Sequence, residues 1–262
     1  MSRVITSLTN PTVKAVRALH MRKAREETGR FLAEGLKIVT EAVELGRPPR
    51  ILLFSAEAGE HPLLRRAIGA TQAARGEVIE VSRDILAKIS RRENPQTVLA
   101  VFDQAFAPLE ELDSAAARCW VALEAVRDPG NLGTIIRTAD AAGCGGVILV
   151  GECCDPYSVE AVRATMGSVF ALGITRATTG EFLAWRRGWP GSVAGTLLTA
   201  TTDFRAAAYR PPTLIVMGNE QAGLTDEMAA ACDVTVKIPM RGRADSLNLA
   251  VATGVMIYAV TA

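Results

Sequence analysis

The chain carries the segment IPMRGRADSLN at residues 238–248, and the apolar run Leu249 to Val260 follows it directly. A strand-like stretch leads into a glycine- and arginine-rich loop, and the apolar run has the composition of a buried helix. Ser246 and Asn248 stand where this helix begins, and their side-chain oxygens can accept the free N–H groups of a first helical turn. Because two arginines and Asp245 share the loop, the segment predicts a polar ligand site held over a buried helix.

Composition excludes several classes of protein. The 262 residues suffice for one large domain or two ordinary ones, and 49% hydrophobic with 22% charged residues is normal for a globular protein. The first eleven residues lack an apolar signal core, so we expect a cytoplasmic protein, and the final apolar run is too short to cross a bilayer. The five cysteines show no C-x-x-C spacing, which favours buried free thiols. With only His20 and His61 available, we expect neither a metal site nor histidine-based catalysis.

Charge is distributed unevenly. Residues 1–108 contain 17 Lys/Arg against 12 Asp/Glu, whereas residues 109–262 contain 12 against 16. A basic surface near the N-terminus is typical of phosphate binding, and its candidate residues are Lys14, Arg22, Lys23, Arg25 and Arg30. The alternative is a solvated helix face, because Glu26, Glu27 and Glu34 can pair with these cations locally.

The first half of the chain predicts a small α/β domain over residues 1–104, followed by a linker at 105–117. Residues 12–45 have the pattern of helix, loop and helix. Strands are predicted at Ile51–Phe54, Val78–Val81 and Val98–Phe102, and helices at Pro62–Ala74 and Arg83–Ser90.

The second half, residues 118–262, predicts a parallel sheet covered by helices, because nearly continuous apolar runs alternate with helical patterns. Strands are predicted at Cys119–Ala125, Gly146–Val150, Val193–Leu198, Thr213–Met217 and Val234–Ile238, and helices at Leu132–Ala142, Ser158–Gly167, Glu181–Arg187 and Asp226–Ala231. Ligands of such sheets bind beyond the carboxyl ends of the strands. The loops after Val126, Leu198, Met217 and Ile238 are therefore the predicted site.

Three of these loops carry polar residues suited to chemistry. The first turns at Pro-Gly, is capped by Asn131 and places Arg137 on an otherwise apolar helix, where a cation must reach an anion or be buried at high cost. The second follows a buried strand with Gly218, Asn219 and Glu220. The third is the opening segment. Each loop alone has a structural alternative, either a capped helix start or a tight turn.

Together the three loops resemble the motifs of the SpoU (TrmH) family of RNA 2′-O-ribose methyltransferases, within the SPOUT superfamily. The resemblance rests on Asn131-Leu132-Gly133 with Arg137-Thr138-Ala139, on Met217-Gly218-Asn219-Glu220 with Gly223-Leu224, and on Ile238-Pro239-Met240 with Ser246-Leu247-Asn248. The stretch Asp155-Pro156-Tyr157-Ser158 with Arg163-Ala164 is similar to the segment between the first two motifs. The first half more loosely resembles the family's small RNA-binding domain, which is akin to ribosomal proteins.

The resemblance implies a parallel-sheet SPOUT domain with a deep trefoil knot, a homodimer and S-adenosylmethionine as cofactor. It implies catalytic roles for Asn131, Arg137, Glu220, Ser246 and Asn248, with Asn131 and Glu220 holding Arg137 and the ribose. It assigns the cofactor to Thr196, Leu197, Gly218, Ile238, Met240 and Leu247, and adds Arg163 to the RNA-binding residues.

The implied activity is methyl transfer to a ribose 2′-hydroxyl, with ribosomal RNA as the expected substrate because of the basic first domain. A guanidinium with a pKa above about 12 is a poor base, so we expect Arg137 to stabilise the developing alkoxide. The alternatives are a transfer RNA substrate and a catalytically silent RNA-binding or ribosome-assembly factor on the same fold. A dinucleotide-binding oxidoreductase is disfavoured, because the G-x-G-x-x-G spacing is absent.

Overall fold

The computed structural model describes residues 3–261. The chain forms two compact units. One consists of the residues up to Gln104 together with Asp155–Ala171, and the other consists of Ala105–Cys154 together with the residues from Leu172 onward. The segment Asp155–Ala171 therefore packs within the first unit, although its position in the sequence lies inside the range predicted for the second domain.

The first unit contains a five-stranded mixed sheet in the order β1-β4-β3-β5-β2, in which β5 runs antiparallel to both of its neighbours. Its strands are β1 (Arg3–Ile5), β2 (Arg30–Glu34), β3 (Ile51–Phe54), β4 (Glu77–Val81) and β5 (Val98–Asp103). Its helices are α1 (Pro11–Ala18), α2 (Arg22–Thr28), α3 (Leu36–Glu44), α4 (Pro62–Ala73), α5 (Arg83–Ser90) and α7 (Val159–Thr165).

The segment Asp155–Ala171 is held in the first unit by a buried ion pair and by aromatic packing. Arg25 Nε donates to Asp155 Oδ2 at 2.7 Å, and both side chains are almost fully buried. The ring of Phe31 lies 4.6 Å from that of Tyr157. Burying a charged pair is tolerated only when the two charges satisfy one another, so this contact fixes the segment in one place.

The second unit contains a seven-stranded sheet in the order β10-β12-β9-β11-β6-β7-β8, and every pairing in it is parallel. Its strands are β6 (Cys119–Glu124), β7 (Gly146–Val150), β8 (Gly173–Ala177), β9 (Val193–Thr196), β10 (Thr202–Asp203), β11 (Thr213–Met217) and β12 (Val234–Lys237). Its helices are α6 (Pro129–Ala141), α8 (Thr179–Arg186), α9 (Asp226–Ala230) and α10 (Leu249–Thr261). The predicted α/β class and parallel sheet are confirmed.

The last helix, α10, packs against α6 and β11 through one face. That face is formed by buried residues at helical spacing: Leu249, Ala250, Thr253, Met256, Ile257 and Val260. On another face, Val251 and Tyr258 are 53% and 56% exposed. Burial within the chain thus accounts for only part of this apolar helix.

Three predictions of local structure are wrong. The prediction of helix, loop and helix over 12–45 overlooks β2. This strand lies between α2 and α3 in the chain, and its residues after Arg30 are buried. The prediction for the second domain overlooks β8 and the short edge strand β10. Asn131 is not the cap of α6, because the helix begins two residues earlier at Pro129 and Asp128 Oδ1 accepts the Asn131 N–H at 2.6 Å. A proline at the first helical position, preceded by aspartate, is a standard helix start.

Candidate active site

The carboxyl ends of β6, β9, β11 and β12 meet at one edge of the parallel sheet, as their registers require. The loops after β9, β11 and β12, together with the start of α10, enclose a cavity of about 380 Å³. Its apolar lining includes Leu197, Leu198, Ile238, Met240, Leu247 and Leu249, and its polar lining includes Thr196, Asn219, Glu220, Asp226 and Ser246. The cavity is large enough for a nucleoside-sized ligand.

All six residues predicted to bind a cofactor line this cavity: Thr196, Leu197, Gly218, Ile238, Met240 and Leu247. Thr196 Oγ1 is buried and has no hydrogen-bond partner among the described residues. A buried hydroxyl without a partner is costly, and a ligand with ribose or adenine polar atoms would satisfy it. The cavity therefore suits a ligand with an apolar body and a few polar atoms.

Gly218 allows the loop after β11 to fold tightly beside the cavity. A Cβ atom at this position would overlap the backbone of Gly223 and Leu224. The N–H of Asn219 donates to the Gly223 carbonyl at 2.9 Å, and the N–H of Gly223 donates to the Asn219 carbonyl at 3.0 Å. The requirement for glycine is thus steric, because the loop closes on itself.

Glu220 joins the loop after β11 to the turn between β6 and α6. Its carboxylate accepts the N–H of Arg127 at 3.2 Å, the N–H of Asp128 at 3.1 Å and the Nδ2 amide of Asn131 at 3.3 Å. Partial burial acts to raise the pKa of the Glu220 carboxyl, but these donors outweigh it and lower the pKa below its ordinary value. The carboxylate is therefore ionised at neutral pH.

The ionised Glu220 sets the direction of a chain of amides. Because a carboxylate only accepts, Asn131 must turn its NH₂ group towards Glu220, which leaves its Oδ1 to accept from Asn248 Nδ2 at 2.9 Å. Asn248 Oδ1 in turn accepts the N–H groups of Ala250 and Val251 at the start of α10. Three loops that are distant in sequence are thereby locked together at the mouth of the cavity.

Among residues 3–261, neither Asn131 nor Glu220 forms a hydrogen bond with Arg137, so the role of these two residues in holding Arg137 stays a prediction. Six residues along an α-helix correspond to about 9 Å of rise and about 240° of rotation, which puts Asn131 and Arg137 on different faces of α6. Arg137 is exposed, and among residues 3–261 it has no hydrogen bond or ion pair. Its guanidinium is available to an anion from outside the described chain.

Ser246, which is also predicted to be catalytic, lies outside this chain of amides. Its hydroxyl donates to Asp245 Oδ1 at 3.3 Å, and the residue is exposed on the wall of the cavity. Asn131, Glu220 and Asn248 thus form the bonded cluster, with Ser246 beside it.

Comparison with known proteins identifies the family. The family model described as SpoU rRNA Methylase family matches residues 118–258, more than half of the chain. The chain belongs to the SpoU rRNA methylase family. A second model, described as MRM3-like substrate binding domain, matches residues 10–100. The SpoU model covers all three polar loops around the cavity.

Relatives within the SpoU family are similar over nearly the whole chain. The 23S rRNA (uridine(2479)-2′-O)-methyltransferase of Streptomyces viridochromogenes is 36% identical, over 90% of this chain and 84% of the relative. The 23S rRNA (guanosine(2553)-2′-O)-methyltransferase RlmP of Bacillus subtilis is 31% identical, over 97% of both chains. The crystal structure of an AdoMet-bound rRNA methyltransferase from Sinorhizobium meliloti superposes with a TM-score of 0.92 at 48% identity, covering 99% of this chain and 97% of that one.

In this SpoU-family chain, the residues predicted to bind RNA have different surroundings. Lys14 is exposed, and Arg22 and Lys23 pair with Glu26 and Glu27 one turn away on the surface of α2. Arg30 lies 3.6 Å from Asp103, and Arg163 donates to the buried Glu34 at 2.8 Å while remaining partly exposed.

Arg25 is the exception, and its prediction as an RNA-binding residue is wrong. The residue is 3% exposed, and its guanidinium is used by Asp155 and by the Leu19 carbonyl. A cation that is buried and paired inside the unit cannot reach a phosphate. Arg22 and Lys23, on the same short helix, face outward instead.

Asp128 and Asn219 also belong to the site, and the sequence indicates the role of only the first. Asp128 caps α6, a role that Asp before Pro-Gly indicates. Asn219 donates from Nδ2 to the Ala125 carbonyl at 2.8 Å, a contact that no local pattern could have predicted.

Within residues 3–261 there is no cluster of His, Cys, Asp and Glu side chains that could hold a metal ion. None of the helices in that range has the length and apolarity needed to cross a membrane.

Proposed function

We propose that this chain is an S-adenosylmethionine-dependent methyltransferase that methylates a ribose 2′-hydroxyl in ribosomal RNA. The observation that carries the proposal is the cluster of Glu220, Asn131 and Asn248 at the mouth of a nucleoside-sized cavity, in a chain of the SpoU family. The S. meliloti structure holds AdoMet, and both curated relatives named above are 23S rRNA 2′-O-methyltransferases.

The cavity suits S-adenosylmethionine. Its apolar walls accommodate an adenine, and the unpartnered Thr196 hydroxyl offers a hydrogen bond to a polar atom of the cofactor. Glu220 and Asp226 add negative charge for a sulfonium and an ammonium group. When bound, this cofactor supplies an electrophilic methyl carbon.

The chain's own residues would orient the ribose and stabilise charge on its 2′-oxygen. Asn131 and Asn248 stand with their amides fixed beside the cavity, and this preorganisation lowers the cost of orienting a substrate hydroxyl. Arg137 is cationic and unpaired within the described chain, so it is the residue we assign to the target phosphate and the developing alkoxide. Ser246 contributes a hydroxyl on the adjacent wall.

The first unit would bind the RNA. Lys14, Arg22, Lys23, Arg30 and Arg163 are exposed or partly exposed cations on a unit that matches a substrate-binding domain model. The names of the curated relatives favour ribosomal RNA over transfer RNA. Because ribosomal RNA is made and assembled inside the cell, a cytoplasmic location belongs to the same proposal.

A homodimer and a trefoil knot complete the proposal. The exposed Val251 and Tyr258 lie seven residues apart on one face of α10, which is a spacing suited to packing against a second copy. The knot is supported by the chain route, since β12 pairs outside β9 and α10 then returns to pack on α6 and β11. The double substitution Val251→Asp with Tyr258→Asp should yield a monomer by light scattering, and an unchanged dimer would contradict this interface.

The experiment that tests the function is transfer of labelled methyl groups to purified RNA. We expect label in ribosomal RNA and not in transfer RNA, with a large loss for Arg137→Lys because lysine lacks the planar fork of arginine. Label in transfer RNA would mean that transfer RNA, and not ribosomal RNA, is the substrate. Tight binding of RNA without any transfer would indicate a silent assembly factor.

A further inference from the structure

The turn between β6 and α6 contains a residue in an unfavourable backbone conformation. Ala125 has a φ of 50°, in the left-handed region that residues with a Cβ atom rarely adopt. It is the first residue after β6, and Asn131 follows six residues later. A conformation of this kind persists only where the surroundings hold it in place.

Besides the bonds from Arg127 and Asp128 to Glu220, three hydrogen bonds hold this turn close to Ala125. The Ala125 N–H donates to the Val150 carbonyl at 3.1 Å, and the Cys154 N–H donates to the Val126 carbonyl at 2.7 Å. The third bond runs from Asn219 Nδ2 to the Ala125 carbonyl at 2.8 Å. The first two bonds are made by backbone groups, whereas the third comes from a side chain and can be removed by substitution.

The other end of the Asn219 amide shapes the loop that lines the cavity. Its Oδ1 accepts the N–H of Gln221 at 2.9 Å and the N–H of Ala222 at 3.1 Å. One side chain therefore has its oxygen in the cavity loop and its NH₂ group on the turn that precedes α6. Glu220 also links this loop to the turn, through the N–H groups of Arg127 and Asp128, whereas the bond to the Ala125 carbonyl is made by Asn219.

We propose that Asn219 is a positioning residue that fixes the Ala125 turn and so sets where Asn131 and Arg137 stand relative to the cavity. The inference rests on the proposed methyltransferase function. Because α6 is a continuous helix from Pro129 to Ala141, a displacement at its start moves both residues together. A misplacement of about 1 Å in an active site can cost about a hundredfold in rate.

The test separates the two ends of the Asn219 amide. Asn219→Asp keeps an oxygen for the Gln221 and Ala222 N–H groups but replaces the NH₂ group, which donates to the Ala125 carbonyl at 2.8 Å and to Glu220 Oε2 at 3.4 Å, with a second oxygen. We expect kcat to fall about tenfold or more, while the Kd for S-adenosylmethionine stays within about threefold of the parent value. An unchanged kcat, or a loss of cofactor affinity that matches the loss of kcat, would overturn the inference.

Rescue by glycine provides the second test. Glycine adopts a φ of 50° without strain, so Ala125→Gly should let the turn keep its shape without Asn219 and restore most of the kcat of Asn219→Asp. Ala231→Gly is the matched control, because Ala231 has a φ of −79° and gains no relief of strain. If Asn219→Asp lowers kcat equally in the Ala125→Gly and Ala231→Gly backgrounds, the inference is overturned.

Denaturant unfolding of the same variants distinguishes this inference from the proposed function. A parent protein that transfers no methyl group would refute the function alone. The coupling between Asn219 and Ala125 would still be measured as a departure from additivity in the unfolding free energies. Strict additivity would refute the positioning role, whether or not the protein is an enzyme.

Discussion

Glu220→Gln is the substitution that most selectively disturbs the cluster at the cavity mouth. The glutamate presents two acceptor oxygens, one to Asp128 N–H and Asn131 Nδ2 and the other to Arg127 N–H and Asn219 Nδ2. Glutamine has the same shape but only one oxygen. In either orientation its NH₂ group therefore faces two donors.

The expected magnitude follows from these contacts. A hydrogen bond to a charged group contributes about 1.5–3 kcal/mol, but the long distances here and the exposure of Glu220 reduce that value. We take about 1.4 kcal/mol for the net loss, which corresponds to about tenfold in the population of the ordered loops. Turnover should fall by about that factor, because Asn131 loses the partner that sets its orientation.

The assay is single-turnover methyl transfer to ribosomal RNA, with calorimetric binding of S-adenosylmethionine measured alongside. Glu227→Gln is the control, since it makes the same chemical change at an exposed position of α9. We expect near-parent turnover for the control and a loss of about tenfold for Glu220→Gln. A loss smaller than about twofold for Glu220→Gln would refute the role of Glu220 as the organiser of the cluster.

Further predictions concern the cavity, the first unit and pH. Gly218→Ala should abolish cofactor binding in calorimetry because its Cβ overlaps backbone, whereas Gly242→Ala, which has nothing within 4 Å, should bind normally. Arg25→Ala should lower the free energy of unfolding by about 3 kcal/mol in urea titrations by removing the cation that neutralises the buried Asp155 carboxylate, and Lys23→Ala should change it by less than about 0.5 kcal/mol. The lowered pKa of Glu220 means that its contribution to stability is present above about pH 4.3 and is lost as the pH falls through the folded-state pKa. The difference in unfolding free energy between the parent and Glu220→Gln should therefore shrink in acid. A difference that stays constant with pH would contradict the contribution of the ionised Glu220 to stability.

Regular elements with strong local patterns could be predicted from the sequence. The strand Thr213–Met217 and the helix Arg83–Ser90 have the predicted bounds, because a continuous apolar run and a capped amphipathic pattern are both local signals. The prediction overlooks the strand Arg30–Glu34, which lies in the chain between two helices. Its partner β5 is about seventy residues away, and no local pattern encodes that pairing.

The candidate site likewise contains features that the sequence predicts and features that depend on tertiary contacts. The six residues predicted to bind the cofactor line one cavity because parallel strands bring their carboxyl ends to one edge. The sequence alone does not distinguish the buried Arg25 from the exposed Lys23. The ion-pair partner of Arg25 is Asp155, which lies 130 residues away in the chain. The link from Asn219 to Ala125 is also a tertiary contact, and it became visible only in the folded chain.

Ribose methylation by this chain can be measured by nucleoside analysis of ribosomal RNA that the purified chain has methylated with labelled S-adenosylmethionine. We expect label in a single 2′-O-methylated nucleoside, and no label when Arg137 is replaced by alanine. Label on a base, or undiminished ribose methylation by Arg137→Ala, would contradict this expectation.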